Sequence, residues 1–182
     1  MTADNPTYLI GDIHGCISEL EALLAKLPSN ARLIFLGDYI DRGPDSKGVI
    51  ERLMHEKRRS IFLRGNHEQM LLDYFHKRDD PDTQVWLRSV NGGPQTLASY
   101  GLGLDAVYED LPASHREFIE SLPLYFEEKD FIAVHAGVDV AVPLMARQEA
   151  NDLLYIRMRW INSEARWPHQ HVIFGHTPAR YL

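Results

Sequence analysis

Five short apolar runs in this sequence end in the same kind of loop. YLI is followed by Gly11, Asp12 and His14; LIFL by Gly37, Asp38, Asp41 and Arg42; IFL by Gly65, Asn66 and His67; FIAV by His135; and VIF by Gly175 and His176. Carboxylates, neutral imidazoles and an amide oxygen, with no thiol beyond Cys16, form a donor set for divalent ions of intermediate character. Mn²⁺ is the leading expectation, with Fe²⁺ and Zn²⁺ as alternatives. Asp12 and His14, two positions apart in an extended loop, can face one centre. The donors outnumber what one ion needs, so two ions sharing a carboxylate, roughly 3.5–4 Å apart, fit the set better. Such a pair holds a bridging hydroxide at neutral pH. Two divalent ions, Asp12, Asp38 and that hydroxide leave one positive charge, which with Arg42 alongside would draw a phosphate dianion.

Those loops need a rigid frame. The apolar runs 7–10, 31–36 and 60–63 read as strands, and two amphipathic helices lie between them. ISELEALLAKL places Ile17, Leu20, Leu24 and Leu27 on one face, with Ser18 and Glu21 as a capping box. SKGVIERLMHEKR is the second helix, capped by Asp45 or Ser46. The order strand, helix, strand, helix, strand favours a parallel sheet, and ligands of such sheets bind outside the carboxyl ends of the strands. Positions 68–121 read as short helices beside the sheet, with NGG at 91–93 a turn. LYFEEKDFIAVHAG reads as a hairpin, NDLLYIRMRW fits a helical or an extended form, and HVIF at 171–174 is a last strand.

The 182 residues fit one domain spanning 1–182, with 45% apolar and 25% charged residues. A net charge of -7 without a basic stripe argues against a nucleic-acid polymer as partner. No apolar run is long enough to span a bilayer, so no membrane is expected. One cysteine excludes an internal disulfide, and MTADNPTYLI carries no secretory pattern, so a cytoplasmic location is expected.

GDIHG, GDYIDRG, RGNHE, HAG and FGHT, in that order from residue 8 to about 178, resemble the signature of the PPP-type metallophosphatases. That group includes serine/threonine protein phosphatases, the phage lambda phosphatase and symmetrical diadenosine tetraphosphatases. RGNHEQM, NGG with the later TLASYG, and LLYIR look most like the small bacterial members. The resemblance implies an α/β calcineurin-like metallophosphoesterase sandwich of two mixed β-sheets flanked by α-helices. It implies that Asp12 and His14 bind one metal, that Asp38 bridges, and that Asn66, His135 and His176 complete the second. Asp41 would orient His67, the general acid. Arg42 would clamp the phosphate with Arg157, Arg159 being the alternative.

The activity so implied is a metal-dependent phosphomonoesterase of the serine/threonine protein phosphatase type. Its substrates would be phosphoserine, phosphothreonine or phosphotyrosine in proteins, or small phosphoesters. The alternatives are a symmetrical dinucleoside tetraphosphate hydrolase and a non-catalytic metal-binding docking protein. Relatives usually continue beyond GHTP, so C-terminal strands are expected to be missing and strand 171–174 exposed.

Other residues read more plainly. His55, His76 and His115 are expected in solvent, and His169 and His171 are weaker substitutes for His176. Cys16 should pack at a helix start, and Glu68 should cap a helix or stand behind the ligands. Tyr74, Phe75, Trp86 and Tyr100 read as core, or as one wall of a nucleoside pocket.

Overall fold

In the computed structural model, which describes residues 5–168 and 170–178, strands β1 (Thr7–Ile10), β2 (Arg32–Phe35) and β3 (Ser60–Phe62) form a parallel sheet in that order. Helices α1 (Ile17–Leu24) and α2 (Ser46–Met54) make the crossovers. A second sheet has the order β4 (Tyr125–Glu127), β5 (Phe131–Val134), β6 (His171–Ile173). The β4–β5 hairpin is antiparallel with Tyr125 opposite Val134, whereas β5 and β6 run parallel. Only this second sheet is mixed; the described strands of the first, joined by helical crossovers, are all parallel.

Alternation at a period of two sorts the strand residues into layers. Leu33 and Phe35 point to a core shared with Leu20, Leu24, Val49, Ile50 and Leu53 of α1 and α2. Ile34, between them, points the other way and meets Ala133 and Phe126 of the second sheet. Ile132 and Val134 of β5 face a third cluster with Met145, Leu153 and Trp167. The layers therefore run helix, sheet, sheet, helix. β2 is apolar on both faces because both faces are covered.

The helix ends hold one correction. The Asp45 side chain accepts from Gly48 N at 2.7 Å and caps α2, as expected. In α1 the N-cap is Cys16, with no side-chain cap, so Ser18 and Glu21 form no capping box. Gly15 N donates to Tyr39 O at 2.8 Å and Cys16 N to Ile13 O at 3.1 Å, and this loop pairing starts the helix before Ser18 is reached.

The middle of the chain folds as α3 (Asn66–His76), a 3₁₀ turn Pro81–Leu87, α4 (Gly93–Ser99), a 3₁₀ turn Tyr108–Asp110 and α5 (Ala113–Ser121). Tyr74 and Trp86 are buried core, with ring centroids 5.1 Å apart. His55 and His76 are exposed. His115 is not; it is 4% exposed, and its Nδ1 lies 2.8 Å from Tyr100 Oη. It shares the inward face of α5 with buried Ile119, four residues on, which the polar neighbours in sequence concealed. The stretch 151–160 resolves into α6 (Ala150–Tyr155) and α7 (Met158–Ile161), broken at Ile156 and Arg157. β6 is the outer strand of its sheet among the described residues, and His171 at its start is exposed.

Candidate active site

The loops after β1, β2, β3, β5 and β6 meet at one end of the two sheets. Asp38 stands at their centre. Its Oδ2 lies 3.7 Å from His14 Nε2, 3.5 Å from His135 Nε2 and 3.9 Å from His67 Nε2. His135 Nε2 is 2.9 Å from Asn66 Oδ1 and 3.1 Å from His176 Nδ1. Asp12 closes the circle: one oxygen is 4.0 Å from His14 Nε2, and the other accepts from His176 N at 3.1 Å. Two groups have ligand atoms within 4.8 Å of one another: His14, Asp38 and His67; and Asp38, His135 and His176. Asp38 belongs to both. In the first group His67 stands where Asp12 was expected, and Asp12 falls outside both groups while staying within 4.0 Å of His14 and accepting from His176 N.

The remaining sequence candidates fall around this centre. His67 Nδ1 is 2.7 Å from Asp41 Oδ2. Arg42 reaches His14 Nε2 at 2.7 Å and His67 Nε2 at 3.0 Å. Arg157 donates to His176 O at 3.3 Å, at the rim of the cluster. Arg159 pairs instead with Asp152 and Asp139. His171 lies at the opposite end of β6 from His176, and His169 lies outside the described residues.

The donor chemistry fits divalent cations. His14 Nδ1–H donates to Ile40 O at 3.0 Å and His135 Nδ1–H to Leu36 O at 2.8 Å. Each ring thereby presents a bare Nε2 to the centre, an arrangement typical of metal-bound imidazole. His135 Nε2 and Asn66 Oδ1 are then two acceptors facing each other, which a shared cation would reconcile. His176 Nε2 is buried without a partner. Burial holds His14 and His135 down to about 4 and His67 and His176 down to about 3, so all four rings are neutral near pH 7. Burial first, then Glu68 and Asp12, pushes Asp38 well above the usual carboxylate range. A carboxylate so placed among neutral imidazoles favours a cation beside it.

Backbone geometry is specialised here. His14, Asp38, Asp41, Arg42 and His176 have φ of 48°, 57°, 73°, 67° and 62°. They are all the positive-φ non-glycine residues among the described residues. Conformations of this kind cost on the order of 1–3 kcal/mol each and persist only where surroundings enforce them. Glu68 supplies much of that enforcement. Fully buried, it accepts from Gly65 N at 2.9 Å, Asp38 N at 2.9 Å and Tyr39 N at 2.8 Å, so it ties the loop after β3 to the loop after β2. It also caps α3, and both readings of this residue hold. Gly65 is needed because a Cβ there would overlap Asp38 Oδ1.

Sequence reasoning missed what holds Asp41. Thr96 Oγ1–H donates to Asp41 Oδ1 at 2.6 Å, and Trp86 Nε1–H to Oδ2 at 2.8 Å. Asp41 N donates to both Ser46 Oγ and Thr96 Oγ1 at 2.9 Å. Since the Thr96 proton is committed to Asp41, Ser46 is the donor in the 2.9 Å contact between the two hydroxyls. Burial pushes Asp41 up to about 7, and the Thr96 and Trp86 donors oppose it. The NGG turn has a part here too: Gly92, with φ 92°, lies so close to Arg42 that a Cβ would overlap its backbone nitrogen.

A family model of calcineurin-like phosphoesterases matches residues 6–180. The chain is 32% identical over 188 residues to a symmetrical bis(5'-nucleosyl)-tetraphosphatase of Ralstonia nicotianae, a match covering 98% of this chain and 57% of that protein. It is 31% identical to serine/threonine-protein phosphatase 1 of Salmonella typhimurium, across 95% of this chain and 79% of that one. An asymmetrical bis(5'-nucleosyl)-tetraphosphatase of Oceanobacillus iheyensis is 27% identical, with 93% and 76% covered. The chain thus spans between somewhat over half and four-fifths of the length of these relatives. A solved structure provisionally assigned as a diadenosine tetraphosphatase shares the fold, with a TM-score of 0.66 at 22% identity over 98% of this chain and 78% of that one. On a match across nearly the whole sequence, to a family with which its strand-end cluster agrees, the chain belongs to the calcineurin-like phosphoesterases.

Proposed function

We propose that residues 1–182 act as one metal-dependent phosphomonoesterase domain whose substrates are phosphoserine, phosphothreonine or phosphotyrosine in proteins. The observation that carries this reading is the double membership of Asp38, whose one oxygen faces His14 on one side and His135 on the other. Asp12 and His14 would hold one cation, Asn66, His135 and His176 the other, and Asp38 both. Mn²⁺ suits the mixed oxygen and imidazole donors. When bound, the ions would supply Lewis acidity toward the phosphoryl group and a water of lowered pKa.

The side chains account for the rest. Arg42 and Arg157 clamp the equatorial phosphoryl oxygens. To do so, Arg42 turns from the two imidazole nitrogens it now touches. Its guanidinium is one of the causes holding His67 low, so its departure to an anion favours a proton on His67 Nε2. Asp41 keeps the other ring nitrogen protonated. His67 Nε2–H then gives its proton to the leaving oxygen.

A dinucleoside tetraphosphatase is the second reading, favoured by the name of the Ralstonia relative. Burial of Tyr74 and Trp86 speaks against it, because neither ring is free to stack on a base. A single cysteine fits a cytoplasmic enzyme. The Mn²⁺-loaded chain is expected to release phosphate from phosphoserine and phosphotyrosine peptides faster than it cleaves diadenosine tetraphosphate. Preferential formation of ADP from the dinucleotide would reverse the assignment, and inertness toward all three would leave only docking. His67→Asn is expected to lower turnover of an alkyl phosphate about 10²–10⁴-fold, with two metals per chain retained by elemental analysis.

A further inference from the structure

We propose that Trp86 and Thr96 are positioning residues that lock the Asp41 carboxylate, and through it the orientation and tautomer of the His67 ring. The inference rests on the reading of His67 as proton donor. Asp41 is fully buried, and each carboxylate oxygen has its own external donor: Thr96 on Oδ1, Trp86 on Oδ2. The two donors come from different elements, α4 and the 3₁₀ turn before it, so together they fix the carboxylate plane. With that plane fixed, Oδ2 is the oxygen that accepts the hydrogen bond from His67 Nδ1–H, at 2.7 Å. The ring then carries its hydrogen on Nδ1 and directs Nε2 to the phosphate side, where Arg42 now meets it at 3.0 Å.

Packing supports a dedicated device. Trp86 and Thr96 have no exposed surface. A Cβ on Gly93 would overlap the Trp86 ring, and one on Gly92 would overlap the Arg42 backbone. The segment 81–99 is thus pressed onto the Asp41–Arg42 corner. If either donor is lost, the carboxylate can rotate and the imidazole can exchange tautomers. Proton delivery would suffer, while phosphate binding would not.

The test joins a spectroscopic and a kinetic measurement. In the metal-free chain, ¹⁵N shifts of the His67 ring are expected to show hydrogen on Nδ1 alone. Thr96→Val and Trp86→Phe should move both nitrogens toward the averaged position of exchanging tautomers, and Thr96→Ser should retain the parent pattern. In the metal-loaded chain, Thr96→Val should lower the ratio of kcat on phenyl phosphate to kcat on 4-nitrophenyl phosphate by about tenfold with KM little changed, because the poorer leaving group needs the proton. Thr96→Ser should restore the ratio. An unaltered ring spectrum in both Thr96→Val and Trp86→Phe would overturn the proposal, as would failure of Thr96→Ser to rescue. His67→Asn, run alongside, separates the two ideas. If it depresses both substrates equally, His67 is not the acid, while displaced ring shifts in Thr96→Val would still establish the lock.

Discussion

Glu68 shows how much one side chain can carry at a site it never enters. A carboxylate offers only acceptors, and four backbone N–H groups from two loops, those of Asp38, Tyr39, Ile40 and Gly65, converge on it. Glu68→Gln would turn an amide N–H₂ toward at least one of those donors. The expected loss is about 1–3 kcal/mol, read as a lower melting temperature, and metal content should fall because the Asp38 loop is no longer held. An unchanged melting temperature with full metal loading would contradict the tie. That the candidate ligand residues gather at one end of the sheets was legible in the sequence, because each follows a strand within a few positions. The Asp41 donors were not, since Trp86 lies 45 and Thr96 55 positions away, beyond the reach of any local pattern. Only a bond partner in space gives those two residues their meaning.

At the scale of elements, strands and amphipathic helices were legible from their periods of two and 3.6, because burial of one face dictates both. Ends and short helices were less so. α1 starts where loop hydrogen bonds release the chain, and the inward face of α5 that holds His115 is masked by the polar residues around it in sequence. Beyond α2, Glu56 offers a pH test. Its side chain, 3% exposed, accepts from Arg58 Nε at 2.9 Å and pairs with Arg52 at 3.0 Å. Arg58 in turn donates to Leu24 O at 3.2 Å, so the pair ties the ends of α1 and α2 together. The Arg58 hydrogen bonds bring Glu56 down to about 2 from 4.5. A carboxyl lowered on folding contributes stability above its unfolded value, and that contribution fades as pH falls from about 4.5 toward about 2. Glu56→Gln should lose on the order of 1–3 kcal/mol at neutral pH. Its unfolding free energy should approach that of the parent across the acid window. Parallel pH profiles for the two proteins would refute the linkage.

For the whole molecule, the sequence order of strands and helices foretold the first parallel sheet, and the five matching strand ends foretold a single pole where their loops meet. The stacking of a second sheet on the first followed from the family resemblance alone, and the residues that make it, Ile34 against Ala133 and Phe126, required three dimensions. The left-handed backbone at that pole has a consequence for durability. Selection for heat resistance alone should erode this protein's chemistry, because glycine relaxes such positions without breaking the fold. Arg42→Gly, on an exposed side chain with φ 67°, is expected to raise the melting temperature by about 2–4 °C while phosphate release drops sharply. A collection of toughened variants ought therefore to be enriched in inert ones, and sturdiness and turnover to move in opposite directions along this rim.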